Sequence, residues 1–188
     1  MRRLIFLTIA LAFSAYATAL SASESLYKAF HAGMSPEQVT QTIIDRGGEK
    51  PIFDNLDERY SSIYGAIPSA HSLPQPTGWF LFDDKRLTAA MFEYIVRPQG
   101  ASPEEVKATC DADFARIRAE VESAFGPPTS ATEEKVGALD RTRLKWQSSN
   151  RFKLTSQYVN GDNCGSIRTL LFDGTEAEFM KRARMKAR

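Results

Sequence analysis

A long helical pattern lies between two groups of strand patterns, and it constrains the fold more than any other feature. From Pro103 to Phe125, apolar residues recur every three or four positions, as on the buried face of an α-helix: Val106, Cys110, Phe114, Ile117, Val121 and Phe125. Gly126-Pro127-Pro128 then ends the helix. Because a helix with one apolar face needs a second layer to cover it, the flanking segments are expected to form a sheet.

Three strand patterns precede this helix and three follow it. RYSSIYGAI, GWFLF and LTAAMFEYIV are rich in aromatic and β-branched residues, and DDKR predicts a hairpin turn between the last two. After the helix and a polar loop come RLKWQS, FKLTSQYV and GSIRTLLF. Asn160-Gly161, which precedes the last run, is a strong hairpin signal.

A shorter helix opens the first group of elements. Residues 35–38 (Ser-Pro-Glu-Gln) predict a capping box with proline at the first helical position, and Gly47-Gly48 predict the end of the helix. Its apolar face comprises Val39, Ile43 and Ile44. Leu26, Tyr27 and Phe30 predict a short helix ahead of it, which Gly33 ends. A helical pair this short must pack on a sheet to be stable.

The order of elements predicts an α+β protein of two tandem units, each with helices and an antiparallel three-stranded sheet. The first unit spans residues 23–98 and the second spans residues 99–173. A basic C-terminal helix is expected over residues 174–188.

The first helix carries a family resemblance. Gly33-Met34-Ser35, followed by Val39, Ile43 and Gly47, resembles the helix signature of the BamE (SmpA/OmlA) and β-lactamase-inhibitor-protein-like superfamily. The second unit resembles a related repeat, in which FARIRAEVESAFGPPT is followed by a strand with Trp146. The resemblance implies a helix pair on an antiparallel sheet, and exported proteins that bind other proteins without catalysis. The chain departs from the lipid-anchored members because no cysteine lies near its expected cleavage site.

The N-terminus predicts export to the periplasm or beyond. Arg2 and Arg3 precede the apolar run LIFLTIALAF, and Ala17-Thr18-Ala19 fits a cleavage site, so residues 1–22 read as a signal peptide. Ala15-Tyr16-Ala17 and Ser21-Ala22 are alternative cleavage sites. The alternative is a retained membrane anchor, but the run is shorter than the roughly 20 apolar residues that span a bilayer.

Cys110 and Cys164 are the only cysteines. In an exported protein, two cysteines favour one disulfide, and this bridge would join the long helix to the last strand. A redox or metal pair is the alternative; the sequence has no C-x-x-C motif, and both histidines are distant from the cysteines.

Charge argues against nucleic acid as a partner. The chain has 24 basic and 23 acidic residues. Removing Arg2, Arg3 and the five cations of the last eight residues leaves 17 basic residues against 23 acidic ones, and an acidic body binds phosphate backbones poorly. The tail cations could contact an anionic membrane surface or an acidic partner; those considered are Lys181, Arg182, Arg184 and Arg188.

Motifs for catalysis are weak. Ser25-Leu26-Tyr27-Lys28 matches S-x-x-K, but the companion S-D-N and K-T-G motifs of penicillin-recognising enzymes are absent. His71 lies in a proline-rich loop without a G-x-S-x-G elbow. His31 is interpreted as a solvated or helix-capping residue, and Asp83-Asp84 as part of a hairpin turn. No cofactor or metal ion is predicted.

The sequence therefore favours a non-catalytic periplasmic protein that binds another envelope protein or serves as its scaffold. Trp79 and Trp146 are the candidate aromatic contact residues, with the tail cations as a second candidate surface. Two alternatives stay open: a small envelope hydrolase that uses His71, and a structural subunit of an envelope complex. The sequence does not indicate the oligomeric state.

Overall fold

The protein is a mixed α+β structure. The computed structural model describes residues 25–54, 60–68, 75–96, 100–136, 139–147, 154–160 and 166–173. Its helices are α1 (Leu26–Ala29), α2 (Pro36–Asp45) and α3 (Pro103–Phe125). The strands are β1 (Ile52–Asp54), β2 (Tyr60–Ala66), β3 (Thr77–Asp83), β4 (Arg86–Tyr94), β5 (Ser130–Val136), β6 (Leu139–Gln147), β7 (Leu154–Asn160) and β8 (Ile167–Phe172).

All of these strands form one antiparallel sheet with the order β1-β2-β3-β4-β8-β7-β6-β5. The centre of the sheet is the pair β4–β8, which runs from Ala89 opposite Phe172 to Tyr94 opposite Ile167. The last strand of the chain therefore lies beside the strand that precedes α3.

The prediction of three strands per unit was wrong, because each half contributes a fourth strand at an edge of the sheet. β1 has only three residues, which is too short for an alternating pattern. β5 has the sequence SATEEKV, and its residues 130–135 are exposed. An edge strand with charged side chains lacks the apolar alternation that identifies a half-buried strand.

The start of α2 is fixed as predicted. The Ser35 side chain accepts a hydrogen bond from the Gln38 backbone N–H, and the Gln38 side chain accepts one from the Ser35 N–H. Gly33, at φ +86°, donates its N–H to the Leu87 carbonyl at 2.9 Å, and the Leu87 N–H bonds to the Met34 carbonyl at 2.8 Å. The segment ahead of α2 is thereby tied to β4. Val39 and Ile43 are buried, whereas Ile44 is 43% exposed and is not part of the apolar face.

The bounds of α3 agree with the sequence pattern. Cys110, Ile117 and Val121 are buried, and Gly126 at φ +80° follows the last turn. A second capping box, which was not predicted, lies between Ser102 and Glu105. Because both helices begin with the same reciprocal arrangement, each has two of its initial backbone N–H groups satisfied.

The core lies between the helices and one face of the sheet, and aromatic rings occupy its centre. The Phe92 ring contacts those of Tyr27, Phe30 and Phe80 at centroid distances of 5.5, 5.7 and 5.9 Å. Phe30 and Phe80 are also 4.6 Å apart. These four residues are at most 1% exposed. The short helix α1 is stable because its side chains enter this cluster.

The predicted signal peptide (residues 1–22) and basic helix (residues 174–188) lie outside the described residues. Among the helices that are described, none is both long and apolar enough to cross a membrane.

Candidate binding surface

The two faces of the sheet have different environments. Along β3, Phe80 and Phe82 point towards the helices and are at most 1% exposed, while Trp79 lies on the opposite face and is 37% exposed. Leu81 shares the face of Trp79 and is partly buried. We call the face opposite the helices the outer face.

An apolar row crosses the outer face around Trp79. Successive members are direct partners on adjacent strands, in the order Ile52, Tyr64, Trp79, Met91 and Leu170. We call these residues the outer apolar row. With strands about 4.8 Å apart, the row extends for about 19 Å over five strands. Ile52 is 58% exposed, and the other members are partly buried or, like Trp79, open to solvent.

The aromatic pair in this row has a defined geometry. The rings of Tyr64 and Trp79 stack with their centroids 5.2 Å apart and an interplanar angle of 23°. Such pairs stabilise a sheet by roughly 0.5–1.5 kcal/mol beyond the burial of their area. The stack restricts the Trp79 ring, so less side-chain entropy is lost when a partner covers it.

A charged pair lies beside the row. Arg168 on β8 is the strand partner of Glu93 on β4, and its guanidinium contacts the Glu93 carboxylate at 2.6 Å. Each is two residues from a member of the outer apolar row, so both lie on the outer face. An ion pair next to a large apolar row is typical of the polar rim that surrounds the centre of a protein interface.

Trp146, the second aromatic candidate, is not at the surface. Its side chain is 1% exposed and belongs to the core, and its indole N–H donates to the Gly126 carbonyl at 2.8 Å. The hydrogen bond satisfies a carbonyl at the end of α3 and ties that end to β6. Side chains alternate between the two faces of a strand, and that of Trp146 lies on the face that packs against the helices. Trp146 is therefore a structural residue.

Cys110 is buried on α3 and is disulfide-bonded, and the described residues include no free cysteine. Cys164, the only other cysteine of the chain, lies outside the described residues, so their pairing stays a prediction. Lys181, Arg182, Arg184 and Arg188 also lie outside them. The proposed contact of the tail cations with an anionic surface likewise stays a prediction.

A buried polar cluster joins α1 to the centre of the sheet. The hydroxyls of Tyr27 and Tyr94 are 2.8 Å apart, and Tyr27 also approaches the Thr169 hydroxyl at 3.5 Å. Burial raises the pKa of both tyrosines above the ordinary value of 10.0, and the nearby Glu120 carboxylate adds to the effect. Both hydroxyls therefore stay protonated at neutral pH, and the cluster connects β4, β8 and α1.

Glu120 connects α3 to the start of α1. One carboxylate oxygen accepts the Leu26 backbone N–H at 3.1 Å and the Ser25 hydroxyl at 3.3 Å. The Ser25 oxygen in turn accepts the Tyr27 N–H. Ser25 is thus used to cap a helix, and Lys28 of the S-x-x-K motif is exposed.

The other catalytic candidates within the described residues are His31 and Asp83-Asp84. His31 is exposed and its Nδ1 is 3.4 Å from the Ala32 carbonyl, while His71 lies outside the described residues. Asp84 and Lys85 have φ values of 47° and 60°, which identifies a tight hairpin turn between β3 and β4. Within the described ranges, no group of three or more histidine, cysteine, aspartate or glutamate side chains could hold a metal ion.

Comparison with known proteins gives no direct guide to function. No protein-family model matches the chain, and neither the curated proteins nor the solved structures include a significant match. The BamE-like resemblance stays a prediction based on the residues around Gly33.

Only Trp79 of the outer apolar row was predicted from the sequence. The strand pairing aligns the other four residues with it, and none of them is conspicuous alone. Alignment of the predicted hairpin β3–β4 by its turn alone would place Ala90 opposite Trp79; the register shift between Leu81 and Phe82 brings Met91 there instead.

Proposed function

We propose that this chain is an exported, non-catalytic protein that binds another protein of the cell envelope through the outer apolar row. The observation that carries the proposal is the alignment of Ile52, Tyr64, Trp79, Met91 and Leu170 over five adjacent strands. Export rests on the N-terminal sequence, and the disulfide-bonded Cys110 is compatible with an oxidising compartment.

The chemistry of the row favours a protein partner. Tryptophan, tyrosine and methionine are enriched at protein interfaces, and tryptophan and tyrosine provide a large share of the binding energy. A row about 19 Å long on the face of a sheet offers a broad contact area, which matches the extent of a protein surface. The Arg168–Glu93 pair beside the row would form part of a polar rim that orients the partner.

We further propose that the chain consists of two tandem units that meet at β4 and β8. The order helix and then four strands occurs twice along the chain. In the sheet order, the two halves are reversed relative to each other, and the last strand of each half lies at the centre. Such an arrangement is expected when two copies of one unit pair edge to edge through equivalent strands.

The test is affinity capture of the tagged protein from crosslinked cell envelopes. We expect one reproducible partner with the unaltered protein and at least a tenfold lower yield with Trp79→Ser, because the side chain at the centre of the row is removed. The matched control is Ile44→Ser, which removes a comparably exposed apolar side chain from α2.

Thermal unfolding of both variants separates binding from stability. Equal capture by Trp79→Ser and the unaltered protein would contradict the proposal. An equal loss in the Ile44→Ser control would assign binding to another surface or to general instability.

A further inference from the structure

Two residues of the outer face are more deeply buried than their neighbours. Phe172 on β8 is 1% exposed and Ala89, its direct partner on β4, is 2% exposed. Neither belongs to the core cluster under the helices. Residues two apart on a strand share a face, so Phe172 lies with Leu170 and Ala89 with Met91 on the outer face.

The neighbouring positions show that the outer face is covered unevenly. Leu170 and Met91 are only partly buried, and Trp79 on the next strand is 37% exposed. Side chains in one plane cannot remove a phenyl ring from water by themselves, because its upper face stays open. A covering segment is therefore needed at the end of the sheet where Phe172 lies.

The chain leaves the sheet at this position. β8 ends at Phe172, and the backbone N–H of Asp173 donates to the Thr88 carbonyl at 2.9 Å. This hydrogen bond holds the chain next to the Ala89–Phe172 pair. Residues 174–188 continue from there, and they begin with Gly174, which permits a sharp turn.

The sequence of this segment has the pattern of a helix with one apolar face. Phe179, Met180, Ala183 and Ala187 follow one another at spacings of one, three and four. Met185 falls on the opposite side of such a helix, between cations. A helix of the 14 residues after Gly174 would be about 21 Å long, enough to cross about four strands.

We propose that residues 174–188 form a helix that packs its apolar face on Ala89 and Phe172. The buried pair supplies the docking position, and Asp173 fixes the point of departure. Lys181 and Arg188 then lie on the solvent side of the helix, with Met185. The docked helix borders the outer apolar row at Met91 and Leu170 and leaves Trp79 accessible.

The test places a photoreactive phenylalanine analogue at position 179 of the purified protein, in place of Phe179. We expect an intramolecular cross-link to β4, mapped by mass spectrometry to the region of Ala89. The matched control carries the analogue in place of Met185, on the opposite side of the helix, and should give at least tenfold less of this product. A cross-link only between two molecules, or equal products from both positions, would overturn the proposal.

A stability measurement gives a second readout. Phe179→Ala should lower the Tm by about 5 °C, because an aromatic side chain loses its packing against Phe172, whereas Met185→Ala should leave the Tm within about 1 °C. An unchanged Tm for Phe179→Ala would also overturn the proposal. Both measurements use the protein without a partner, so their outcome is independent of whether the outer apolar row binds one.

Discussion

The helices cover the two halves of the sheet in different ways. Over β2–β4, Tyr27 of α1 and Phe30, which follows α1, enter an aromatic cluster centred on Phe92, and the segment at Gly33 bonds to β4. Over the other half, the single long helix α3 contacts β7, and the Trp146 indole holds its end. The first half is held mainly by packing, while the second also has a covalent bond at Cys110.

The difference shows that the length of a helix does not determine how firmly it is anchored to the sheet. α1 has four residues and would not be stable alone, yet its side chains Leu26 and Tyr27 are fully buried. α3 has 23 residues, but its buried stripe includes the charged residue Asp113, which pairs with Arg116. A short helix needs dense contacts, and a long one with a less apolar stripe gains from a disulfide.

Phe92→Ala tests the packing of the first half and should have the largest effect. We expect a loss of about 3–5 kcal/mol in the free energy of unfolding, because the ring contacts three other aromatic rings. Chemical denaturation measures the loss. Met91→Ala, the adjacent change on the outer face, should cost clearly less; equal losses would show that the cluster is not the main source of stability.

Cys110→Ser tests the covalent anchor of the second half. We expect a loss of about 2–5 kcal/mol, the range for disulfides in small exported domains. Thermal unfolding with and without reductant is the measurement. Reductant should lower the Tm of the unaltered protein and leave that of Cys110→Ser unchanged. If reductant did not change the Tm of the unaltered protein, the disulfide at Cys110 would not be the anchor of this half.

Alkaline pH should act on the centre of the sheet, where the halves meet. The pKa values of Tyr27 and Tyr94 are raised by burial, so folding favours their neutral forms. The stability that both tyrosines contribute is fully present below the pKa of about 10 that they have in the unfolded chain. This stability is lost progressively as the pH rises above that value. Stability measured from pH 8 to 12 should fall above pH 10, and less steeply in Tyr27→Phe. An identical pH profile for the variant would refute a role for Tyr27.

The two capping boxes provide the smallest and most closely matched comparison. In both, the N-cap serine N–H donates to the N3 side chain at 2.8 Å, and the serine oxygen accepts the N3 backbone N–H at 3.3 Å. Ser35→Ala and Ser102→Ala should each cost about 1 kcal/mol. A clearly larger loss at Ser35 would show that the segment tied to β4 depends on its cap. Partner capture should be unchanged in either variant.

Most of the helical structure could be predicted because its signals are local. The three- and four-residue spacing and Gly126 fixed α3, and Ser35 and Gln38 fixed the start of α2. The edge strands could not be predicted, because β1 is too short and β5 is charged and exposed. Their structure depends on pairing with β2 and β6, which no local pattern in β1 or β5 indicates.

The binding surface was predictable only in part. The alternation of side chains along a strand places Trp79 and Phe80 on opposite faces of the sheet. It does not indicate which tryptophan faces the helices, and Trp146 is buried. The outer apolar row depends on the register of four strand pairs, and Leu170 joins it only through the central β4–β8 pair. A contact between residues about 80 positions apart leaves no signal in a single sequence.

The central position of β8 has a consequence for the order of assembly. A chain that emerges from its N-terminus can form β1–β4 early, but the inner edge of β4 has no partner until the last strand is available. Until then β4 presents open backbone groups and apolar side chains, the features that promote association between unfinished chains. The pairing of β4 with β8 closes a large loop, which makes it a slow step. Completion of this sheet therefore depends on the C-terminal strand, and a chain that ends before Ile167 would lack the centre that joins its halves.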